Sequence, residues 1–337
     1  MTGWTVRSVL QPVLLCLLMS ARNARALSSS SATKVIDSHL HVWAATSESE
    51  TFPYAAGSPP DPALQNVAST QELLNHMDAA GVAGALIVQP IHHQYDHSYV
   101  LKTALQGHPD RFKGMLLHNP ALNTEQAVAQ LEDLALQGFC GVRYNPYLWE
   151  KTSDNPPSWK PMSQGAGLAV YQRCAELRMP VGIMCFQGLD LHFDDIQALI
   201  QASPETRLIL DHFGFTSVAN KPENFDKLLS LAQYPNVYVK ISALFRLGDE
   251  HPFERVRTER FEPLLKAFGA ERLLYGSDFP FVLEQPGDYQ SMVELVRSWM
   301  SSESDEAAIM GGTAEKLFGP WGSVVTTPQA EASSSSS

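Results

Sequence analysis

The stretch Val35-Ile36-Asp37-Ser38-His39-Leu40-His41 begins as a short apolar run and ends in two histidines. Seven further short apolar runs of β-type follow along the chain, and most of them end in polar side chains. Near-continuous apolar runs of this length are typical of strands buried on both faces of a parallel sheet. The sequence therefore predicts eight strands, at residues 35–41, 85–89, 114–117, 141–145, 181–186, 207–211, 237–241 and 272–275.

Helical patterns lie between these runs, for example over residues 70–80, 124–137, 168–178 and 194–201. A chain that alternates strand and helix eight times predicts an α/β protein with the (β/α)8 TIM-barrel fold. We place this single domain at residues 34–320. An open doubly wound sheet is the alternative, and it is disfavoured because no G-x-G-x-x-G motif opens the first unit.

The composition is that of a globular protein, with 44% hydrophobic and 18% charged residues among 337. The formal net charge is −12, and no run of Lys and Arg occurs. A nucleic-acid partner is therefore excluded, because such proteins carry a basic surface. An anionic small-molecule substrate remains possible, but a few local arginines would have to bind it.

The two ends of the chain differ from the middle. Residues 1–33 contain Arg7, an apolar stretch and the A-x-A-like sequence Ala24-Arg25-Ala26, followed by serines. This pattern predicts a targeting segment, either a signal peptide, a transit peptide or both in succession. We expect import into a plastid or another organelle through the secretory route, or entry into the secretory pathway, with no membrane span left after processing. A disordered N-terminal tail is the alternative, and residues 321–337 are predicted to be a disordered C-terminal tail.

Polar side chains stand at the ends of the predicted strands, where TIM barrels place their active sites. His39 and His41 alternate along the first strand, so both side chains should point to one face. Asp278 follows the eighth strand, which is the neighbour of the first strand in a closed barrel. His212 follows the sixth strand. We therefore expect these four side chains to converge, with Asp37 available to orient one imidazole ring.

Arg143 lies inside an apolar run, so its charge must find an anion or an acceptor network. Together with Arg246 it could hold a carboxylate of the substrate, although an internal salt bridge is an equally good explanation for each. Gln89 and Tyr144, also at strand ends, are further candidates for substrate binding. Six aromatic residues could form walls of a pocket, namely Trp43, Tyr144, Tyr147, Trp149, Phe186 and Phe279.

The stretch at 35–43 resembles the opening strand of the amidohydrolase-related family, in the branch of 2-pyrone-4,6-dicarboxylate hydrolase and sugar-lactone hydrolases. Further family-like motifs follow in order, and the resemblance covers about residues 34–320. They are Val88-Gln89-Pro90, Gly141-Val142-Arg143-Tyr144-Asn145, Asp211-His212-Phe213-Gly214, Val239-Lys240-Ile241-Ser242 with Arg246, and Tyr275-Gly276-Ser277-Asp278-Phe279-Pro280.

The resemblance implies that Asp278 is the general base that activates water, and that His39, His41 and His212 surround it. It also implies that Arg143 and Arg246 bind carboxylates. Metal-dependent relatives carry a histidine at the end of strand 5, where this chain has Met184-Cys185-Phe186-Gln187. We therefore expect no tightly held metal and no other cofactor. A zinc ion at His39, His41 and Asp278 remains possible, with Cys185 as a fourth ligand.

These residues predict a hydrolase of ester bonds, a lactonase that opens a small anionic cyclic ester with water activated by Asp278. Phe281 replaces a polar residue of the pyrone hydrolase, which makes the dicarboxylate itself a doubtful substrate. Two alternatives stay open. One is a metal-dependent decarboxylase, deaminase or other hydrolase of the same superfamily, and the other is a ligand-binding barrel without catalytic activity.

Overall fold

The structure is a computed structural model of the chain and describes residues 33–154, 158–220 and 222–322. Eight parallel strands follow one another in the sheet in the order of the sequence. They are β1 (Val35–Leu40), β2 (Val82–Val88), β3 (Phe112–Leu117), β4 (Phe139–Tyr144), β5 (Val181–Ile183), β6 (Leu208–Leu210), β7 (Val237–Ile241) and β8 (Leu273–Tyr275).

The ring is closed between the end of β1 and the residues that follow β8. The backbone N–H of Asp278 donates to the carbonyl of His39 at 2.9 Å, and that of His41 donates to the carbonyl of Phe279 at 2.8 Å. Gly276 permits this close approach, since a Cβ there would lie 2.8 Å from the Cβ of His39. The predicted (β/α)8 barrel is thereby confirmed.

Helices connect the strands, and several begin at the caps that the sequence offers. The Ser69 side chain accepts from the backbone of Glu72, and Asn123 forms a capping box with Gln126. The α-helices are Pro62–Gln65, Thr70–Ala79, Thr124–Leu136, Gly165–Leu177, Phe193–Ala202, Pro222–Ser230, Glu254–Val256, Glu262–Phe268, Tyr289–Ser298, Glu303–Ala307 and Thr313–Phe318. The π-helical turns are Val100–Leu105, Arg257–Phe261 and Ala308–Gly312. The 3₁₀ turns are Pro146–Leu148, Leu189–Leu191, His212–Phe215, Leu231–Gln233, Leu244–Arg246, Ala270–Arg272 and Phe281–Glu284.

Two apolar cores stabilise this arrangement. The larger one lies between the strands and the surrounding helices. The smaller one brings strand residues such as Ile36 and Ile209 together with the last helix and Trp321. Trp321 is buried, and its indole N–H donates to the carbonyl of Ala85 at 3.3 Å. The fold therefore continues past the predicted boundary at residue 320, because this one large apolar side chain packs onto the barrel.

The rest of the two predicted terminal segments, residues 1–32 and 323–337, lies outside the described residues, so the targeting segment and the tail stay predictions. Within the described ranges, no helix has the length and apolar character that crossing a membrane requires.

Candidate active site

The Asp278 carboxylate lies among three imidazole rings at the C-terminal ends of the strands. Its Oδ1 atom is 3.5 Å from Nε2 of His41, 3.8 Å from Nε2 of His212 and 3.9 Å from Nε2 of His39. Its Oδ2 atom accepts from Nε of Arg246 at 3.1 Å. The structure thus brings together the four residues that the sequence nominates for catalysis, and it adds Arg246 to them.

The backbone at two of these residues is held in an uncommon conformation. Asp278 has a φ of 61° and His212 a φ of 52°, both in the left-handed region. Residues other than glycine adopt this region rarely, and such conformations cluster at functional sites. Here they turn both side chains toward the barrel axis, directly after β8 and β6.

The protonation of His41 follows from its partner. Its Nδ1 lies 2.8 Å from the carbonyl oxygen of Val88, which can only accept, so this nitrogen carries the hydrogen. In the neutral ring, Nε2 then turns a lone pair toward Oδ1 of Asp278. His39 Nε2 also faces this oxygen and is buried without a hydrogen-bond partner. Oδ1 of Asp278 and the Nε2 atoms of His41 and His39 are thus acceptors that face one another. This arrangement is suited to bind a cation or to transfer a proton.

A second layer of charge lies deeper in the barrel. Asp211 places Oδ1 3.1 Å from Nδ1 of His39 and 3.3 Å from Nζ of Lys240, while Oδ2 is 3.3 Å from Arg143. Lys240 also lies 3.0 Å from the same His39 nitrogen. Asp211 is therefore the carboxylate that orients His39.

The prediction that Asp37 orients an imidazole is wrong. The pairing of β1 with β2 shifts register between Asp37 and Leu40, so the simple alternation of side chains breaks down there. The Asp37 carboxylate accepts instead from the backbone of His39 and Ser277 and from the Tyr289 hydroxyl. Its role is to fasten β1 to the segment after β8, and burial raises its pKa to about 6.

The pKa values of the site residues are shifted by burial and by neighbouring side chains. Burial favours the neutral form of Asp278, but the facing rings of His212, His41 and His39 more than offset it and hold its pKa below the ordinary value. Burial also lowers the pKa of His212 to about 4. Asp278 is therefore a carboxylate at neutral pH.

Asp211 has a lowered pKa as well. Burial opposes this, but Lys240, His39 and Arg143 outweigh it. Burial lowers the pKa of Lys240, although Asp211 counteracts the effect. The inner layer is thus an ionised, buried network around one carboxylate.

A pocket of about 290 Å³ opens above Asp278. Among its lining residues are Gln89, Arg143 and Arg246, as the sequence predicts for substrate binding. Gln89 donates to the carbonyls of Gln94 and Asp96, and its Oε1 is buried without a partner. Apolar side chains form much of the remaining wall, among them Trp43, Ile91, Met184, Phe186, Phe215 and Phe281.

Tyr144 does not belong to this pocket, contrary to the prediction. Its hydroxyl donates to the carbonyl of Gly167 at 2.5 Å, and its ring packs on His118 and Trp149. Neighbouring residues of a strand point to opposite faces, so Arg143 and Tyr144 could not both face the barrel axis. Of the six aromatic candidates, Trp43 and Phe186 line the pocket.

Lys240 and Asp211 stand in two of the motifs quoted above, but no role is predicted for either from the sequence. A signal for Lys240 was present, since it interrupts the apolar run Val237–Ile241 as Arg143 interrupts its own strand. Ser242, whose Oγ lies 2.8 Å from Nδ1 of His212, carried no such signal.

The comparison with known families agrees with this geometry. Residues 36–319 match the family model described as Amidohydrolase. The chain belongs to the amidohydrolase family.

Two curated relatives of this amidohydrolase are lactone hydrolases. The 4-sulfomuconolactone hydrolase of Hydrogenophaga intermedia is 25% identical over 305 residues, covering 84% of this chain and 88% of the relative. The L-fucono-1,5-lactonase of Burkholderia ambifaria is 27% identical over 256 residues, covering 73% and 80%. Among solved structures, the probable 2-pyrone-4,6-dicarboxylic acid hydrolase of Acinetobacter baumannii has a TM-score of 0.69 and 20% identity, covering 85% of this chain and 99% of that structure. The last similarity concerns the fold.

Members of the amidohydrolase superfamily often use a divalent metal, and the residues present fit one. One donor atom from each of His39, His41 and Asp278 lies within 4.8 Å of the others, and Cys185 is not part of this group within the described residues. Three protein ligands with an open position are the arrangement of catalytic zinc sites. A metal held here would polarise a carbonyl and lower the pKa of a bound water.

Zinc titration of the chelator-treated amidohydrolase should show one saturable site per chain and a rise in melting temperature. His41→Ala should weaken this binding at least about tenfold, because a three-ligand site loses one donor. His76→Ala is the matched control, since His76 lies on a helix outside the group. Equal zinc affinity of the wild type and His41→Ala, measured by calorimetry, would exclude the proposed ligand set.

Proposed function

We propose that this amidohydrolase is a lactonase that opens a small anionic cyclic ester. The observation that carries the proposal is the ionised Asp278 carboxylate, which faces three imidazole nitrogens at the floor of the pocket. Carboxylates in such a position act as general bases toward water. The curated relatives, which are lactone hydrolases, support the same reaction class.

The chemistry follows from the atoms around Asp278. Arg246 holds Oδ2, which leaves Oδ1 to accept a proton from water. The resulting hydroxide attacks the lactone carbonyl, and the C–O bond of the ring breaks. Asp278 then returns its proton to the departing alkoxide, so that the product is the hydroxy acid. Arg143 lines the same pocket, and its guanidinium can donate to the oxygen on which negative charge develops.

A library of lactones, assayed for hydrolysis with and without a chelator, tests the proposal. We expect turnover of at least one class of lactone, and its loss in Asp278→Asn. Comparing the rates with and without the chelator tests the expectation that no tightly held metal is needed. Decarboxylation that depends on added metal, without lactone turnover, would favour the decarboxylase alternative. Ligand binding without any turnover would favour the binding barrel.

Arg143→Met should raise KM for an anionic lactone by about ten- to a hundredfold, because a charge-assisted hydrogen bond is lost. Nε of Arg143 is buried without a hydrogen-bond partner, so this side chain has a donor left for a substrate. The effect on a neutral lactone should be under about threefold. Steady-state kinetics with a charged and a neutral substrate measure the difference.

The control is Arg111→Met, which removes an arginine that pairs with Asp78 outside the pocket. Its kinetics should match the wild type for both substrates. Equal impairment of both substrates in Arg143→Met would show that Arg143 serves the ion pair with Asp211 and does not bind the substrate.

A further inference from the structure

The mouth of the pocket is apolar and open to solvent. Phe186 and Ile91 both line the pocket, yet they are 55% and 39% exposed. Large apolar side chains exposed at the rim of a cleft mark the place where an apolar group of a ligand binds. Phe186 follows β5 and Ile91 follows β2, so they stand on different sides of the mouth.

Aromatic rings continue this surface toward the floor. The Phe186 and Phe215 rings meet edge to face with centroids 5.5 Å apart. Trp43 and Phe281 approach each other at 6.1 Å, and the Arg246 guanidinium lies over Phe281 at 4.8 Å. The path from Asp278 to solvent is therefore lined largely by apolar side chains, with His92, Asn145 and Arg246 among the polar ones.

Several polar groups of the lining are already engaged by the protein. Nδ1 of His41 is bonded to the carbonyl of Val88, and Nδ1 of His92 to that of Ser58. Both hydrogen bonds that Gln89 donates go to backbone carbonyls. Oε1 of Gln89 and Nε of Arg143 still lack partners. A sugar lactone with several hydroxyls would place the others against apolar side chains, and buried hydroxyls without partners are unfavourable.

We infer, on the basis of the proposed lactonase function, that the ring of the anionic lactone also carries an alkyl or aryl substituent. The ester carbonyl lies near Asp278, and the substituent extends along Phe215 and Phe281 to Phe186 and Ile91. Polyhydroxylated sugar lactones are the poorer substrates of this site.

A series of δ-lactones tests the inference, from δ-valerolactone through δ-hexalactone and δ-octalactone to δ-decalactone, with glucono-δ-lactone as the hydroxylated comparison. We expect kcat/KM to rise about threefold for each added methylene over the first part of the chain. Glucono-δ-lactone should be hydrolysed no better than δ-valerolactone. A flat series, or a preference for glucono-δ-lactone, would overturn the inference.

The Phe186→Ser variant tests whether the preference for longer substituents arises at the mouth of the pocket. The ratio of kcat/KM for δ-decalactone to that for δ-valerolactone should fall at least about fivefold in Phe186→Ser. The ratio is independent of the fraction of protein that folds. Leu136→Ser is the matched control, because Leu136 is 89% exposed on a helix away from the pocket, and it should keep the wild-type ratio. An unchanged ratio in Phe186→Ser would contradict the assignment.

Binding to Asp278→Asn separates this inference from the proposed function. Calorimetry should show tighter binding of 5-hydroxydecanoate, the ring-opened form of δ-decalactone, than of gluconate. Absence of lactone turnover by the wild type would refute the lactonase proposal, while this binding preference would still support an apolar mouth. Equal binding of the two acids would refute the apolar mouth even if lactones are hydrolysed.

Discussion

Asp278→Asn is expected to lower kcat for lactone hydrolysis by at least about a hundredfold and to leave KM nearly unchanged. The amide keeps the size of the carboxylate, and its oxygen can still accept from Arg246. Asparagine also tolerates the left-handed backbone at this position, where φ is 61°. What the variant loses is the acceptor for the proton of water, which matters in the transition state and little in substrate binding.

Asp78→Asn controls for the general effect of removing a carboxylate, since Asp78 pairs with Arg111 outside the pocket. Steady-state rates on the best lactone from the library measure both variants, and circular dichroism confirms that both fold. A kcat for Asp278→Asn above about one tenth of the wild-type value would rule out Asp278 as the general base.

The barrel could be predicted because its strands produce a recognisable pattern in the sequence. Strands of a parallel barrel are buried on both faces, so they appear as short apolar runs, and the site appears as polar residues at their ends. His39, His41, His212 and Asp278 were found by this rule, and the structure brings them together.

The hydrogen-bond and ion-pair partners of these residues were harder to predict, because which side chains meet depends on how the barrel closes. Asp37 is next to the histidine pair in sequence, yet its carboxylate is bound by the backbone of His39 and Ser277 and by the Tyr289 hydroxyl. Asp211 and Lys240 reach His39 from β6 and β7, across more than 170 residues of chain. Tyr144 was a different kind of error, since the alternation of strand residues already excluded it from the face of Arg143.

Asp211→Asn should be the most destabilising of these substitutions, with a loss of about 3 kcal/mol in the free energy of unfolding. It leaves the side-chain shape intact but removes the negative charge between Lys240 and Arg143. Two buried cations then lack a counter-charge, and breaking a buried ion pair on one side is costly. The melting temperature should fall by about 10 °C in a thermal unfolding experiment.

The companion variant is Lys240→Met in the Asp211→Asn background, which should recover at least about 1 kcal/mol, because one unpaired cation is removed. The single variant should also respond to pH. Burial holds the pKa of Lys240 below its ordinary value, and loss of Asp211 removes the neighbour that counteracts this. The unfolded chain then binds more protons than the folded one, so stability should rise with pH from about 7 toward about 10. The deficit of Asp211→Asn against the wild type should therefore shrink over this interval. A deficit that stays constant, or a double variant less stable than Asp211→Asn, would mean that Lys240 is not held as a buried cation by Asp211.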